Sequence, residues 1–257
     1  MLVAIGPGFQ FPLGDGMSKE TKSVAVKRPE CLNDFALQPH SRYKLESIID
    51  QSLPIPDHGI CGILIYGMYG TGKSTIANLL PGLIETARTT TALQIHQAGA
   101  VIDTSEPVFD FHACASGQNS TGLIQLIQSR TSFVAFNRSG LHYMILDEID
   151  NLTDLAQNSL KAIMNRTDVV FIMTTNNLNK IDLGIQNRSI IIDMNVPPPN
   201  LWRPILQGIY ATAGLVPPPN AALDEIVKAG NGSARSIFSD VVHSINKSLR
   251  SHEVIIK

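Results

Sequence analysis

Cysteine is scarce in this chain, which has three cysteines among 257 residues. Cys31, Cys61 and Cys114 lie far apart, and none of them belongs to a C-x-x-C motif or pairs with a nearby histidine. This spacing argues against a zinc site and against a disulfide framework, and it is typical of proteins kept in a reducing compartment. We therefore expect three free thiols with structural roles.

Charge of one sign and long apolar runs are also lacking. Lys and Arg number 20 and Asp and Glu number 22, which gives a net charge of −2 and a pI near 6.4. Without an overall basic surface, any nucleic acid would have to meet a local patch or an assembly. No apolar run approaches the length of a membrane span, and residues 1–5 lack the basic start and the length of a signal peptide. We expect a cytoplasmic protein without a membrane partner.

The sequence does contain a full match to the pattern G-x-x-x-x-G-K-[ST], at residues 67–74. Glycines let the backbone N–H groups of such a loop face a phosphate, and the next helix points its positive end at the same anion. Lys73 would reach the β- and γ-phosphates of a nucleotide, and Ser74 would hold Mg²⁺. The context fits, because residues 59–66 read as a buried strand and residues 74–80 as the start of a helix.

A second segment carries two acidic residues directly after an apolar run. Residues 141–146 read as a central buried strand, and Asp147 and Glu148 follow it. In that position an Asp binds Mg²⁺ directly or through water, and the Glu polarises the water that attacks the γ-phosphorus. Two acids at a strand end are common on their own, but a phosphate loop on the same sheet favours the catalytic interpretation. We expect Asp150 to cap the helix that follows.

Strand-like and helix-like stretches alternate along residues 26–196, as in an α/β protein whose parallel sheet is covered by helices on both faces. Residues 1–25 are rich in Gly and Pro and are predicted to form an N-terminal arm. Residues 197–257, which begin with three prolines, are predicted to form a small helical domain. The signal is weak over residues 86–107, which we interpret as a connector or an insertion with one short strand near residues 101–102.

These motifs, in this order, resemble those of the AAA+ ATPases over about residues 26–245, and most of all the clamp-loader ATPase subunits of DNA replication, including the phage type. Residues 67–74 are similar to the Walker A motif of the family, and Asp147-Glu148 to its Walker B motif. The resemblance implies a P-loop NTPase domain with a helical lid. It also implies ATP and Mg²⁺ as cofactors and hydrolysis of ATP to ADP and phosphate.

The resemblance assigns roles to further residues. Arg28 and Pro29 belong to an entry segment that lies over the adenine, and Asn176 sits where the family places its sensor 1 residue. Arg188 resembles the arginine that reaches into the ATP site of a neighbouring subunit, and Arg235 resembles the sensor 2 arginine of the lid. Simpler interpretations stay open, since asparagine is common in turns and exposed arginines often form plain surface ion pairs.

The predicted catalytic residues are Lys73, Asp147, Glu148, Asn176, Arg188 and Arg235. The predicted nucleotide-binding residues are Gly67, Gly70, Thr71, Gly72, Lys73, Ser74, Thr75, Arg28 and Pro29. The predicted Mg²⁺ ligands are Ser74 and Asp147.

As a function, the resemblance implies an ATPase that works in a ring or filament with copies of itself or related AAA+ subunits. Its implied partners are DNA and a replication protein such as a sliding clamp. The sequence departs from clamp loaders in two ways: Ser189 stands where their Ser-Arg-Cys motif has its Cys, and residues 122–130 contain few basic side chains. We also expect no helical collar after the lid, which leaves ring formation and the partner open. The alternative is a nucleotide-switched interaction protein, such as a helicase loader or a transposition regulator. A metabolic kinase fits less well, because paired acids, Asn176 and a helical lid suit hydrolysis.

Overall fold

The computed structural model describes residues 26–96, 107–115 and 119–255. Five strands form one sheet: β1 Gly62–Tyr66, β2 Phe109–Ala113, β3 His142–Asp147, β4 Val169–Thr175 and β5 Ser189–Asp193. The helices before and between the strands are α1 Pro39–Ile49, α2 Lys73–His96, α3 Thr121–Thr131, α4 Asp154–Ile163 and α5 Leu183–Gln186. Those after the sheet are α6 Pro199–Thr212, α7 Asn220–Ala229 and α8 Ala234–Ile255. Short 3₁₀ turns span Leu32–Asp34, Ile149–Asn151 and Leu178–Lys180.

The sheet is parallel throughout, with the strand order β2-β3-β4-β1-β5. Every residue of β4 is buried, as expected for a central strand covered on both faces. The register aligns Tyr66, the last residue of β1, with Thr175 of β4 and Asp193 of β5. The carboxyl ends of all five strands therefore meet at one edge, and the predicted parallel α/β sheet is confirmed.

Apolar residues alternate between the two faces of the sheet and build a core on each. Ile63 and Ile65 of β1 pack with α1 and α2, whereas Leu64 packs on the opposite face with α3 and α4. This alternation follows from the two-residue period of a strand. Packing in these cores fixes the positions of α2, which carries Lys73, and β3, which carries Asp147.

The cysteines agree with the expected free thiols. Cys61 and Cys114 are buried, and Cys31 is exposed. Burial raises the pKa of the Cys61 thiol to about 11 and that of the Cys114 thiol to about 12. Both buried thiols therefore stay protonated at neutral pH, as expected of structural cysteines.

One prediction for the region after the phosphate loop was wrong. Residues 86–96, interpreted as part of a connector, continue α2 to His96. Threonine lowers helix propensity by only a few tenths of a kcal/mol, so Thr89 to Thr91 do not end a helix that is already formed. The strand predicted near residues 101–102 and the arm at residues 1–25 lie outside the described residues.

Helices α6, α7 and α8 share a separate apolar core. Its buried members recur at helical spacing, for example Trp202, Leu206 and Tyr210 on α6 and Ile237 and Val241 on α8. This packing confirms the helices expected after residue 197. Within the described residues, no helix is both long enough and apolar enough to span a membrane.

Candidate active site

The phosphate loop joins β1 to α2 in a conformation that needs glycine. Gly67, Gly70 and Gly72 have φ angles of 156°, 78° and 94°. These positive values are disfavoured for residues with a Cβ. A Cβ added to Gly67 would also lie 2.7 Å from the carbonyl carbon of Met194. The loop backbone therefore lies close to the segment that follows β5.

Lys73 is nearly buried at the first position of α2. Its ammonium donates hydrogen bonds to the backbone oxygens of Gly67, at 3.0 Å, and Met68, at 2.7 Å. Burial lowers the pKa of this ammonium, and the carboxylates of Asp147 and Glu148 act in the opposite direction. The cation is thus held against the loop itself, at the place where a phosphate would compete for it.

Ser74 and Asp147 are in direct contact. The Ser74 hydroxyl donates to Oδ1 and Oδ2 of Asp147 at 2.8 and 3.0 Å. A hydroxyl and a carboxylate are the hard oxygen ligands that Mg²⁺ prefers, and the ion usually takes its other ligands from water and phosphate. Among the described residues, no cluster of three or more His, Cys, Asp or Glu forms a site for another metal. The pair therefore fits Mg²⁺ held together with a nucleotide.

Thr174 of β4 connects the two acidic residues and was not predicted from the sequence. Its hydroxyl donates to Asp147 Oδ1 at 2.5 Å and accepts from the Glu148 backbone N–H at 2.9 Å. Glu148 needs this support because its φ of 59° and ψ of 52° are left-handed. The Glu148 carboxylate accepts from Asn151 Nδ2 at 3.3 Å. A buried threonine beside a half-buried aspartate carries no local sequence signal, since only the sheet register brings them together.

The prediction for Asp150 was wrong. Thr153 caps α4 instead, with its hydroxyl accepting from Ala156 N at 3.2 Å. Asp150 Oδ1 accepts from the Thr175 hydroxyl at 2.9 Å and from Asn176 N at 3.3 Å. The Asp150 carboxylate therefore binds the end of β4 and is not available to cap α4.

A cleft of about 1380 Å³ opens above the loop. Of the predicted site residues, those that line it are Arg28, Pro29, Gly70, Thr71, Gly72, Lys73, Ser74, Thr75, Glu148, Asn176 and Arg235. Asp147 contacts the cleft residue Ser74 directly. The start of α8 lies on the loop, with Arg235 N and Gly70 O 3.4 Å apart. The fold therefore brings together residues that are far apart in sequence.

Gly67 precedes the part of the loop that lines the cleft, and Arg188 does not line the cleft at all. Arg188 precedes β5, at the sheet edge opposite the phosphate loop. Its Nε donates to Asn165 Oδ1 at 3.0 Å and its Nη1 to Gly184 O at 2.9 Å. Arg188 therefore makes no contact with the nucleotide cleft of its own chain.

Part of the cleft lining is apolar and was not predicted from the sequence. Ile205 and Ile209 line it from one face of α6, with Gly208 between them, and Trp202 and Phe238 line it from the lid core. The spacing of the isoleucines on α6 is the only local signal, and it equally suits a helix buried in a core. An apolar compartment next to a phosphate site is suited to a flat aromatic base.

A glycine phosphate loop after β1 and an acidic pair after β3, at the same carboxyl edge of a parallel sheet with β4 between the two strands, define a P-loop nucleotide-binding protein. Residues 63–195, more than half of the chain, match the family described as ATPase family associated with various cellular activities (AAA). The chain therefore belongs to this family of AAA ATPases. No curated protein sequence matches it.

Two solved structures share the fold at low sequence identity. The Thermotoga maritima RuvB Holliday junction branch migration motor is 17% identical with a TM-score of 0.58, over 89% of this chain and 67% of that chain. A variant of that protein has a TM-score of 0.59 with the same identity and coverage. A DNA polymerase III gamma subunit-related protein from T. maritima is 16% identical with a TM-score of 0.46, over 74% of this chain and 56% of that chain.

Proposed function

We propose that this protein binds ATP with Mg²⁺ and hydrolyses it to ADP and phosphate, as one subunit of an assembly that acts on DNA. The observation that carries the proposal is the contact between Ser74 on α2 and Asp147 on β3, with Lys73 and Glu148 beside it. This set combines a hydroxyl and a carboxylate for Mg²⁺, a cation for the phosphates and a second carboxylate for water.

In this proposal, the Lys73 ammonium leaves the two loop oxygens and donates to the β- and γ-phosphates of ATP. Ser74 and Asp147 would hold Mg²⁺, which neutralises charge on the phosphates. Glu148 accepts a proton from water as the water oxygen bonds to the γ-phosphorus and the bond to the β-phosphate oxygen breaks. Asn176 orients the same water, and Arg235 contacts the γ-phosphate from the lid.

Arg188 completes the site of a neighbouring subunit in this proposal. Arg188 lies outside the nucleotide cleft of its own chain, so it would have to move a long way to reach that cleft. Contact with the cleft of a neighbouring subunit requires no such rearrangement, and this supports action in trans. An arginine supplied in trans is worth ~10³ to 10⁵ in rate, so a lone subunit would hydrolyse ATP slowly. The work on DNA is proposed as clamp-loader-like, on the strength of the motif resemblance over residues 26–245.

A second candidate is a nucleotide-switched interaction protein, such as a helicase loader or a transposition regulator. The Glu148 carboxylate is held by Asn151, and the Arg188 guanidinium by Asn165 and Gly184. Both groups have partners in their own chain, which favours a protein with slow turnover until a partner rearranges it. A sliding clamp or primed DNA that raises the hydrolysis rate supports the first candidate, and ATP-dependent filaments on DNA without a clamp effect support the second.

The test is ATP binding and ATP hydrolysis by a Glu148→Gln variant. We expect the variant to bind ATP with the affinity of the unchanged protein and to lose most of its turnover, because an amide cannot accept the proton of water. Glu225→Gln, on the exposed surface of α7, is the matched control and should leave both quantities unchanged. Normal hydrolysis by Glu148→Gln would contradict the role of Glu148, and absence of ATP binding by the unchanged protein would contradict the function.

A further inference from the structure

Strand β2 is the outermost strand of the sheet, and it carries exposed apolar side chains. It pairs with β3 on one side, and the described part of the chain places no strand on its other side. Phe109 and Phe111 are 38% and 44% exposed, on the sheet face that they share with Tyr143 and Ile145 of β3. An uncovered edge strand with large apolar side chains is a surface on which a further strand can add.

Two hydrogen bonds at the ends of β2 show which of its backbone amides face β3. Before the strand, the Val108 N–H donates to Asn137 Oδ1 at 2.7 Å, and Asn137 Nδ2 donates to Leu141 O, directly before β3, at 2.8 Å. After the strand, the Cys114 N–H donates to the backbone oxygen of Asp147, the last residue of β3, at 2.9 Å. The amides of residues 108 and 114 therefore both face β3.

The amides between these two residues alternate in direction, as they do along any strand. Those of Asp110 and His112 face β3, whereas those of Phe109, Phe111 and Ala113 face the open edge. Within the described sheet β2 pairs with β3 alone, so the outward amides have no strand to bond. The open edge thus presents backbone donors and exposed phenylalanine rings on the same residues.

A loop at the amino end of β2 extends this apolar surface. Phe133, Val134 and Phe136 lie between α3 and β3 and are 71%, 85% and 87% exposed. Asn137, which follows them, makes two hydrogen bonds to the backbone of the residue that precedes β2, so the loop is fixed beside the start of this strand. Large exposed apolar patches mark surfaces that another segment covers. We call this region the edge surface, which comprises residues 109–113 and 133–136.

Residues 1–14, which lie outside the described part of the chain, match the edge surface in composition. Eight of these fourteen residues are apolar and none is charged, since the first charge is that of Asp15. Residues 1–5 are apolar throughout and contain no proline, so every one of them can pair along a strand edge. The described chain resumes at Val26, which lines the same cleft as Phe109. The intervening residues span up to about 80 Å when extended, so residues 1–14 can reach the edge surface from there.

We propose that residues 1–14 dock on the edge surface of their own chain, with residues 1–5 pairing along the outer side of β2. Residues 97–106 fit less well, because they contain two large apolar side chains, Val101 and Ile102, and two acidic ones. The inference goes beyond the proposed function, since Phe109 is the one residue of the edge surface that lines the nucleotide cleft. Docking would cover the open edge and so prevent it from pairing with other chains.

Hydrogen exchange of single amides, measured by NMR on the whole chain, tests the pairing. We expect the Phe109 and Phe111 amides to exchange about tenfold or more slowly in the whole chain than in a variant that lacks residues 2–14, because only the whole chain bonds them. The Asp110 and His112 amides face β3 and should stay protected in both proteins. These two amides therefore show that the variant keeps its sheet.

Val3→Asp is a second variant that keeps the full length of the chain. A carboxylate cannot be buried among apolar side chains without a partner, so this variant should expose the Phe109 and Phe111 amides as the deletion does. Ser18→Asp adds the same charge beyond the apolar residues 1–14 and is the matched control. It should keep the slow exchange of the unchanged protein.

The other possible results each contradict the proposal. Fast exchange of the Phe109 and Phe111 amides in the whole chain would mean that no segment pairs with the edge. Slow exchange that survives both the deletion and Val3→Asp would assign the edge to another segment, such as residues 97–106. Protection in the whole chain that increases with protein concentration would mean that a second copy covers the edge. None of these readouts depends on ATP, so they are separate from a failure of the proposed function.

Discussion

At the scale of single residues, Thr174 shows how one hydroxyl fixes two acidic groups. It donates to the Asp147 carboxylate and accepts from the Glu148 backbone, and it is fully buried. The left-handed backbone of Glu148 destabilises the folded protein by about 1 to 2 kcal/mol, and surrounding contacts must offset this strain. Thr174 is therefore a positioning residue, which acts on the reaction through Asp147 and Glu148.

Replacing Thr174 with Val tests this role. The change keeps the shape and leaves the Glu148 N–H unpaired, so we expect a loss of about 1 to 3 kcal/mol in the free energy of unfolding. A displaced Asp147 should also raise the Mg²⁺ concentration needed for half-maximal ATP hydrolysis. Denaturant unfolding and Mg²⁺ titrations of the hydrolysis rate measure the two effects.

The neighbouring Thr175 provides the matched control for Thr174. Its hydroxyl donates to Asp150 rather than Asp147, and it is equally buried. Thr175→Val should lower the free energy of unfolding but keep the Mg²⁺ dependence of the unchanged protein. Thr174→Ser, which keeps the hydroxyl that Thr174→Val removes, should also have the normal Mg²⁺ dependence. A Thr174→Val protein with normal Mg²⁺ dependence would show that the hydroxyl does not position Asp147.

At the scale of secondary-structure elements, the phosphate loop and the lid are packed together through a glycine. A Cβ added to Gly70 would lie 2.5 Å from Ser233 Oγ, just before α8 begins. Gly59 has nearly the same φ, 79° against 78°, but a Cβ there would meet nothing within 4 Å. The two glycines share their backbone conformation and differ in their contact with the lid.

This pair separates backbone strain from lid contact. We expect Gly59→Ala and Gly70→Ala each to lose about 1 to 2 kcal/mol of stability, because both place a Cβ at positive φ. Only Gly70→Ala should also weaken ATP binding, since it pushes Ser233 and the start of α8 off the loop. Thermal unfolding and calorimetric titration with ATP provide the measurements, and equal ATP affinity of the two variants would contradict the lid contact.

The elements also explain which parts of the site the sequence could predict. The phosphate loop and the Asp147-Glu148 pair are contiguous, so their chemistry is visible in the order of residues. Thr174, Trp202 and the contacts of Asp150 depend on sheet register and helix packing, which a local pattern does not contain. The length of α2 could not be predicted for the same reason. Packing of this helix against the sheet stabilises it, so it continues through residues with low helix propensity.

At the scale of the whole molecule, the cleft and Arg188 lie at opposite edges of the sheet. In its own chain Arg188 bonds Asn165 and Gly184, so its guanidinium is presented by a supported segment between α5 and β5. A site that uses such a residue needs two chains, one to hold ATP and one to supply the arginine. Turnover should then depend on protein concentration, in contrast to ATP affinity.

Arg188→Ala is the last prediction and follows from this separation. We expect nearly unchanged ATP affinity and a loss of most turnover, since the residue is distant from its own cleft and an arginine in trans is worth ~10³ to 10⁵ in rate. Arg203→Ala, which removes a half-buried arginine of the lid that pairs with Asp224, is the control and should keep its turnover.

Mixing two inactive proteins makes the test decisive. A Lys73→Ala subunit holds no ATP but still carries Arg188, whereas an Arg188→Ala subunit holds ATP but lacks the arginine. Together they should recover part of the hydrolysis rate. At some interfaces the Arg188→Ala subunit then holds ATP, and the adjacent Lys73→Ala subunit supplies the arginine. Mixing Arg188→Ala with the double variant Lys73→Ala/Arg188→Ala should recover none, since no interface has the arginine. Full turnover by Arg188→Ala alone would mean that each chain completes its own site, and the assembly would then serve some purpose other than catalysis.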